Sequence, residues 1–110
     1  MACGGSSTAP TNTPPTVTNT ITITAAGTSP KNIQVAIGSR VTFVNNDSRS
    51  HNMADDPHPQ HGDCPELQQI GFLSAGQQRQ SGNLVVARNC GYHDHDNPAA
   101  TTLQGTITIK

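Results

Sequence analysis

The chain consists of short runs of β-branched residues separated by Gly, Pro, Asn and Asp, and few folds accept that pattern. The runs at 20–24 and 106–109 alternate strictly between Thr and Ile, as half-buried strands do. Further runs lie at 32–37, 40–44 and 84–88, the last of which is predicted to be a buried strand. Sustained helical periodicity is absent. About seven to eight short strands with turns at this spacing predict an all-β fold, a β-sandwich.

Size and composition exclude several classes of protein. The 110 residues fit one domain. With no Trp, one Tyr and two Phe, the core must be filled by Val, Ile and Leu. The net charge is −1 and no basic face is visible, so nucleic acid is not an expected partner. No apolar run is long enough to span a bilayer.

The N-terminal region differs in composition from the rest of the chain. Its first residues, Met-Ala-Cys-Gly-Gly, resemble the end of a bacterial lipoprotein signal, and that resemblance implies a lipid on Cys3. Ser, Thr, Pro and Asn dominate up to residue 17, which predicts a disordered tether over 1–17 and a folded domain over 18–110. The expected location is the periplasm or outer cell envelope, with membrane contact only through the lipid anchor. Disulfides persist in such a compartment.

Soft metal ligands are concentrated near the C-terminus. Cys90, His93 and His95 lie within six residues, and a remote histidine, His51, follows the strand-like run at 41–46. One thiol, one nearby imidazole and one distant imidazole form the ligand set that favours copper in a trigonal site. The sequence therefore predicts a copper site made of these residues.

The order of these motifs resembles that of the cupredoxins, the superfamily of plastocyanin and azurin. The matching features are Gly-Ser-x-Val-Thr-Phe-Val-Asn-Asn-Asp at 38–47, then His51-Asn, an Ala-Gly turn, a strand ending in Cys90, and a Gly-containing last strand. The resemblance covers 18–110 and implies a Greek-key β-sandwich with copper at one end. It implies that His51 is the upstream imidazole ligand, Cys90 the thiolate, and His93 or His95 the second imidazole.

The sequence departs from the cupredoxin pattern at the axial position. The family commonly has Met shortly after the downstream histidine, and here Leu103 or Gln104 stands just before Gly105. Leu cannot bind a metal, whereas Gln can. The resemblance therefore implies an altered axial ligand.

Cys64 leaves two alternatives for the site. If Cys90 is reduced, it supplies a copper thiolate, which is the preferred interpretation. If Cys90 forms a disulfide with Cys64, it cannot bind copper, and the remaining site is all-histidine, made of His51, His93 and His95, like a type 2 copper centre or a zinc site. Such a disulfide would contribute about 3 kcal/mol in the chain-entropy model.

Polar residues around these ligands suggest supporting roles. His58, His61 and Cys64 are spaced by three in a Pro-rich loop. They could bind a second metal or contribute a ligand to the first. The favoured interpretation is that they are solvated surface residues. Asp94 is a candidate hydrogen-bond partner of a ligating imidazole, or else a turn residue facing solvent. The resemblance suggests the same supporting role for Asn52.

The preferred functional hypothesis is a copper-binding, envelope-anchored cupredoxin that transfers single electrons and is not an enzyme. It would be a monomer that docks weakly and transiently on a redox partner protein. The alternative is a copper storage, delivery or sensing module with a His-rich site and a Cys64–Cys90 disulfide. Copper is the expected cofactor in both cases, and zinc is possible if the site is all-histidine.

Overall fold

The computed structural model describes residues 14–58 and 60–110. Ten strands in these residues form two sheets, and two short 3-10 helices, Pro65–Gln69 and Thr101–Leu103, each lie between two strands of the larger sheet. In chain order the strands are β1 (Thr16–Val17), β2 (Thr20–Thr24), β3 (Gly27–Ser29), β4 (Asn32–Val35), β5 (Thr42–Asn45), β6 (His51–Asp55), β7 (Gly71–Leu73), β8 (Gln78–Gln80), β9 (Arg88–Asp94) and β10 (Gly105–Ile109).

The larger sheet has the strand order β1-β4-β10-β9-β6-β7, and the smaller has the order β3-β2-β5-β8. Both are mixed: β10 pairs antiparallel with β9 and parallel with β4, while β5 pairs parallel with β2 and antiparallel with β8. The parallel pairings require crossovers between the sheets, which gives a two-layer sandwich. The predicted all-β sandwich is confirmed.

The core lies between the two sheets and consists mainly of aliphatic side chains. Alternate residues of each strand point inward, as the Thr-Ile repeats predict: in β2, Ile21 and Ile23 are fully buried while the threonines between them are not. Phe43 of the smaller sheet meets Tyr92 of the larger one edge to face, with ring centroids 5.2 Å apart. None of the helices in the described residues is long and apolar enough to cross a membrane.

Tyr92 joins the core to the surface loops. Its hydroxyl donates a hydrogen bond to the carbonyl of Lys31 (2.6 Å) and lies 3.1 Å from the hydroxyl of Thr28. Burial raises the pKa of Tyr92 to about 12, against the weaker opposing effect of the Thr28 hydroxyl. A side chain at Gly105 would overlap both the Tyr92 ring and the Lys31 carbonyl, so only glycine fits there.

A disulfide between Cys64 and Cys90 fastens the loop after β6 to the middle of β9, with Cα atoms 5.5 Å apart. Both cysteines are fully buried. The bond closes a sequence separation of 26 residues, which corresponds to about 3.5 kcal/mol in the chain-entropy model. It therefore fixes the start of the 3-10 helix Pro65–Gln69 against the larger sheet.

Three details differ from the sequence-based expectations. The strands number ten because the structure adds very short ones, such as β1 and β3. Thr16 and Val17 pair with β4, so the folded part begins before residue 18, while residues 1–13 of the predicted tether, with Cys3, lie outside the described residues. The run at 84–88 is not a buried strand: Val85 and Val86 are 59% and 49% exposed, and β9 begins only at Arg88.

Candidate metal centre

Four histidines meet on the outer face of the larger sheet. They are His58 and His61 from the loop after β6, His93 from β9, and His95 immediately after it. One ring nitrogen from each lies within 4.8 Å of those of the other three. His93 is buried, His61 is half-buried, and His58 and His95 are exposed, so the cluster extends from the sheet surface to solvent.

His93 forms the floor of the cluster. Its Nδ1 lies 2.7 Å from Oδ1 of Asp56, and its Nε2 is buried without any hydrogen-bond partner. Because an ionised carboxylate only accepts hydrogen bonds, Nδ1 carries the proton, and the lone pair of a neutral ring is on Nε2. A buried lone pair without a donor is costly, and a metal ion would satisfy it.

His61 is oriented in the same manner. Its Nδ1 donates to the carbonyl of Asp55 (2.8 Å), which leaves the lone pair on Nε2. That Nε2 lies 3.0 Å from Nδ1 of His95, close to the separation of about 3.3 Å between two nitrogens on a tetrahedral metal. The backbone of His61 has a φ of +54°, a left-handed conformation uncommon for residues other than glycine.

The loop that carries His58 and His61 is held from several sides. The Cys64 amide donates to Oδ2 of Asp55 (2.9 Å), and the Asp63 amide donates to the Asp56 carbonyl (2.9 Å). Gln68 donates from its side chain to the carbonyl of His61 (2.6 Å). Together with the Cys64–Cys90 disulfide, these contacts place the loop histidines over β9 before any ligand arrives.

The surroundings of His58 favour its neutral form. Desolvation, reinforced by the neighbouring charges of His95, His93 and His61, lowers the pKa of His58 below its usual value. A neutral imidazole is the form that binds metals. Four nitrogen donors, with no carboxylate or thiolate among them, suit Cu²⁺ or Zn²⁺ and are unsuited to Ca²⁺ or Mg²⁺.

Comparison with solved structures identifies the fold. A purple cupredoxin from Nitrosopumilus maritimus superposes with a TM-score of 0.65 at 20% identity, covering 84% of this chain and 100% of that one. Oxidised plastocyanin from Dryopteris crassirhizoma gives 0.64 at 19% identity, covering 83% and 99%. An oxidised amicyanin variant gives 0.63 at 18% identity, covering 83% and 80%. The chain has the cupredoxin fold.

Sequence comparisons add nothing to this: no protein-family model matches the chain, and neither does any curated protein. The expected cupredoxin fold is therefore established by the structure alone. The site residues within that fold, however, are arranged differently from the expectation.

Cys90 is not available as a thiolate ligand of this cupredoxin fold. Its sulfur is bonded to Cys64, so the preferred prediction of a copper thiolate is wrong for this structure, and the alternative disulfide is the one observed. Cys64 is likewise excluded as a loop ligand. The physical reason is that Cys90 points inward from β9, toward the start of the 3-10 helix, whereas the histidine cluster lies on the opposite face.

His51 also lies apart from the cluster. In the register of β6 and β9, Met53 is opposite Asp94 and Ala54 is opposite His93, so His51 and Asp94 share the inner face and His93 faces outward. Nδ1 of His51 is 2.8 Å from Asp94, and Nε2 is 2.8 Å from Asp47. Both ring nitrogens are thus engaged by carboxylates, and the structure does not support His51 as a ligand of the cluster.

The remaining predicted residues divide between the two sites. Asp94 holds His51 rather than a histidine of the cluster, whereas the carbonyl of Asn52 accepts a hydrogen bond from the His95 amide (2.6 Å) and so helps to place that histidine. Leu103 is buried and lines the same pocket as His51, and Gln104 donates to the Pro98 carbonyl (2.8 Å), so neither belongs to the cluster. His58 and His61, for which a surface role was favoured, join His93 and His95 in one site.

Asp56 and Asp47 were not among the predicted residues. Asp56 orients His93, and Asp47 pairs with His51. The sequence signal for Asp56 was weak, because it stands in an acidic, Pro-rich loop where a carboxylate is expected on general grounds. The spacing of Asp47 and His51, four residues apart across a turn, was the better indication of a pair.

Proposed function

We propose that this protein binds one copper ion through His58, His61, His93 and His95, and that it collects and passes on the metal rather than catalysing a reaction. The observation that carries the proposal is the buried Nε2 of His93, which lacks a hydrogen-bond partner and belongs to a cluster with three other imidazoles. The role is the alternative that the sequence offered, with a His-rich site and a disulfide, but the histidines differ, because His58 and His61 take the place of His51.

Two considerations favour copper over zinc. Among divalent first-row metals a nitrogen site generally binds Cu²⁺ most tightly. Proteins of the same fold are described with copper: one amicyanin variant structure is a Cu(I) form, and the fold recurs in a copper-containing nitrite reductase from Thermus scotoductus. Zinc remains the competing metal, since four imidazoles also suit a tetrahedral Zn²⁺ site.

The chain's own residues account for capture and release. Asp56 and the Asp55 carbonyl hold His93 and His61 with their lone pairs free, so binding needs little reorganisation. His58 and His95 are exposed and can exchange with ligands of another protein. A receiving partner would dock transiently at this edge of a monomeric protein.

Single-electron transfer is the second candidate. The exposed imidazole of His95 favours it, because a ligand at the surface gives a partner protein close access to the metal. Plastocyanin and amicyanin, which share the fold, make this role worth testing. The disulfide argues against a blue-copper centre, since it leaves no thiolate among the described residues.

A copper titration tests the proposal. We expect one Cu²⁺ per chain, a pale spectrum without an intense sulfur-to-copper band, and no titratable thiol at residues 64 and 90. His93→Gln should weaken copper binding by more than about 100-fold, because it removes a ligand rather than a supporting contact. His51→Gln is the matched control and should keep the stoichiometry.

An intense visible band lost in a Cys90→Ser variant would contradict the proposal. Rapid reversible reduction of the bound copper would favour electron transfer.

An envelope location with a lipid on Cys3 is also part of the proposal. The Cys64–Cys90 disulfide supports an oxidising compartment, in which such bonds persist. In bacterial cells, we expect Cys3→Ser to shift the protein from the detergent phase to the aqueous phase. Equal partitioning of the two forms would argue against lipidation.

A further inference from the structure

We propose that a cavity beside the four-histidine site admits a small inorganic anion to the bound metal, an inference that rests on the proposed function. The cavity has a volume of about 330 Å³ and lies on the outer face of the larger sheet, under the loop after β6. The lining residues that matter are Asn52, Ala54, Gln60, His61, Gln68 and His95.

The cavity and the cluster share two side chains. His61 and His95 belong to both, and Nε2 of His61 is 3.0 Å from Nδ1 of His95. A metal held by this pair would therefore lie at the boundary of the cavity. The other two ligands, His58 and His93, do not line the cavity, so a ligand arriving from it approaches the metal on the His61–His95 side.

Apart from the two histidines, the lining carries no acidic or basic side chain, although Asp55, Asp56 and Asp63 occur in the same part of the chain. Four neutral imidazoles do not themselves compensate the charge of a divalent metal, and the nearby Asp56 carboxylate, which bonds to His93, is not part of the cavity lining. An anion that binds the metal reduces this charge, and an uncharged lining does not repel it.

Asn52 supplies a hydrogen-bond donor for such an anion. Its carboxamide lines the cavity and makes no hydrogen bond to another described residue, whereas the Gln68 amide is already committed to the His61 carbonyl. A side-chain amide donates two N–H bonds, and a bond to a charged group contributes more than one to a neutral group. The volume is at the lower end for small-molecule sites, which suits an ion of a few atoms.

Azide binding to the copper-loaded protein tests this inference. We expect azide to produce a saturable new absorption band and a change in the Cu²⁺ electron paramagnetic resonance spectrum. The step is addition of a ligand, with no change of oxidation state. In Asn52→Leu, which keeps all four histidines and the backbone carbonyl that accepts from the His95 amide, and which replaces only the carboxamide, azide affinity should fall by about tenfold or more. Copper affinity should change by less than about threefold.

The matched control is Asn89→Leu, the same substitution at an exposed position of β9 outside the cavity. It should bind both copper and azide as the unaltered protein does. Equal azide affinities in the two variants would overturn the inference. It would also be overturned if the copper-loaded protein gave no response to azide, or if azide released the copper into the dialysate. Failure to bind copper at all would overturn the proposed function and this inference with it. Thermal melting of both variants verifies that they fold.

Discussion

The carboxylate of Asp56 lies directly over the α-carbon of Gly91 on the outer face of β9, in the space that a side chain at position 91 would need. From there its Oδ1 accepts the hydrogen bond from Nδ1 of His93, two residues further along the strand. The Asp56 amide also donates to the Gly91 carbonyl (3.0 Å). The orientation of one proposed metal ligand, His93, thus depends on the absence of a side chain at Gly91, which is not itself a proposed ligand.

Gly91→Ala should therefore weaken copper binding without removing a ligand. The new methyl group would overlap the Asp56 carboxylate and displace it from His93. Loss of such an outer contact typically costs about 10–100-fold in metal affinity, and a competition titration against a chelator measures it. Gly62→Ala in the same loop is the control, because a methyl group there meets no atom within 4 Å. Equal copper affinities in the two variants would show that Asp56 does not position His93.

The disulfide should contribute to both stability and metal affinity. Removing it in a Cys64→Ala/Cys90→Ala double variant should lower the free energy of unfolding by about 3–4 kcal/mol, because the denatured chain regains the freedom of a 26-residue loop. The loop histidines would then be ordered only on binding, so copper affinity should fall by about tenfold. Urea unfolding and copper competition measure the two effects. Unchanged copper affinity would mean that the hydrogen bonds of the loop place His58 and His61 without the disulfide.

The sequence predicted the sandwich well because alternation in runs such as 20–24 directly reports the buried face of a strand. The sequence did not predict which of the candidate ligands lie close together, because that depends on where β9 ends. The strand was expected to end at Cys90 but continues to Asp94. Within a regular strand, Cys90 and His93 point to opposite faces and cannot share a metal.

The loop histidines were underestimated for a related reason. His58 and His61 stand among prolines and acidic residues, a composition typical of solvated loops. Only the tertiary contacts reveal that Cys64 fastens this loop over His93. Long-range pairings of this kind depend on strand register, which a single sequence does not determine.

Asp47 should make the protein sensitive to acid. The hydrogen bond from His51 is the main cause that lowers the pKa of Asp47 below its ordinary value of 3.8, and burial opposes it. A carboxyl group with a lowered folded-state pKa stabilises the protein above pH 3.8, and this contribution is lost as the pH falls further. The stability difference between the unaltered protein and Asp47→Asn should therefore shrink below that pH. Urea midpoints across pH 2–6 measure it, and Asp96→Asn, at an exposed position, is the control. A stability difference between the two proteins that stays constant with pH would exclude this role for Asp47.

Tyr92 allows a test at the opposite end of the pH scale, because it is the only tyrosine in the chain. Burial raises its pKa to about 12, so the folded protein disfavours the phenolate. The resulting stabilisation is complete below the unfolded value of about 10 and is lost as the pH rises from there toward 12, amounting to about 3 kcal/mol.

Absorbance of the phenolate measured against pH should rise near pH 12 in the folded protein and near pH 10 in urea. Tyr92→Phe should remove the signal and cost about 1 kcal/mol, since the Lys31 carbonyl loses its donor. Between pH 10 and 12, the free energy of unfolding should also decrease less in that variant than in the unaltered protein. Titration near pH 10 while circular dichroism still reports folded protein would mean that the phenol is accessible to solvent, and that its bond to Lys31 does not join the core to the loop.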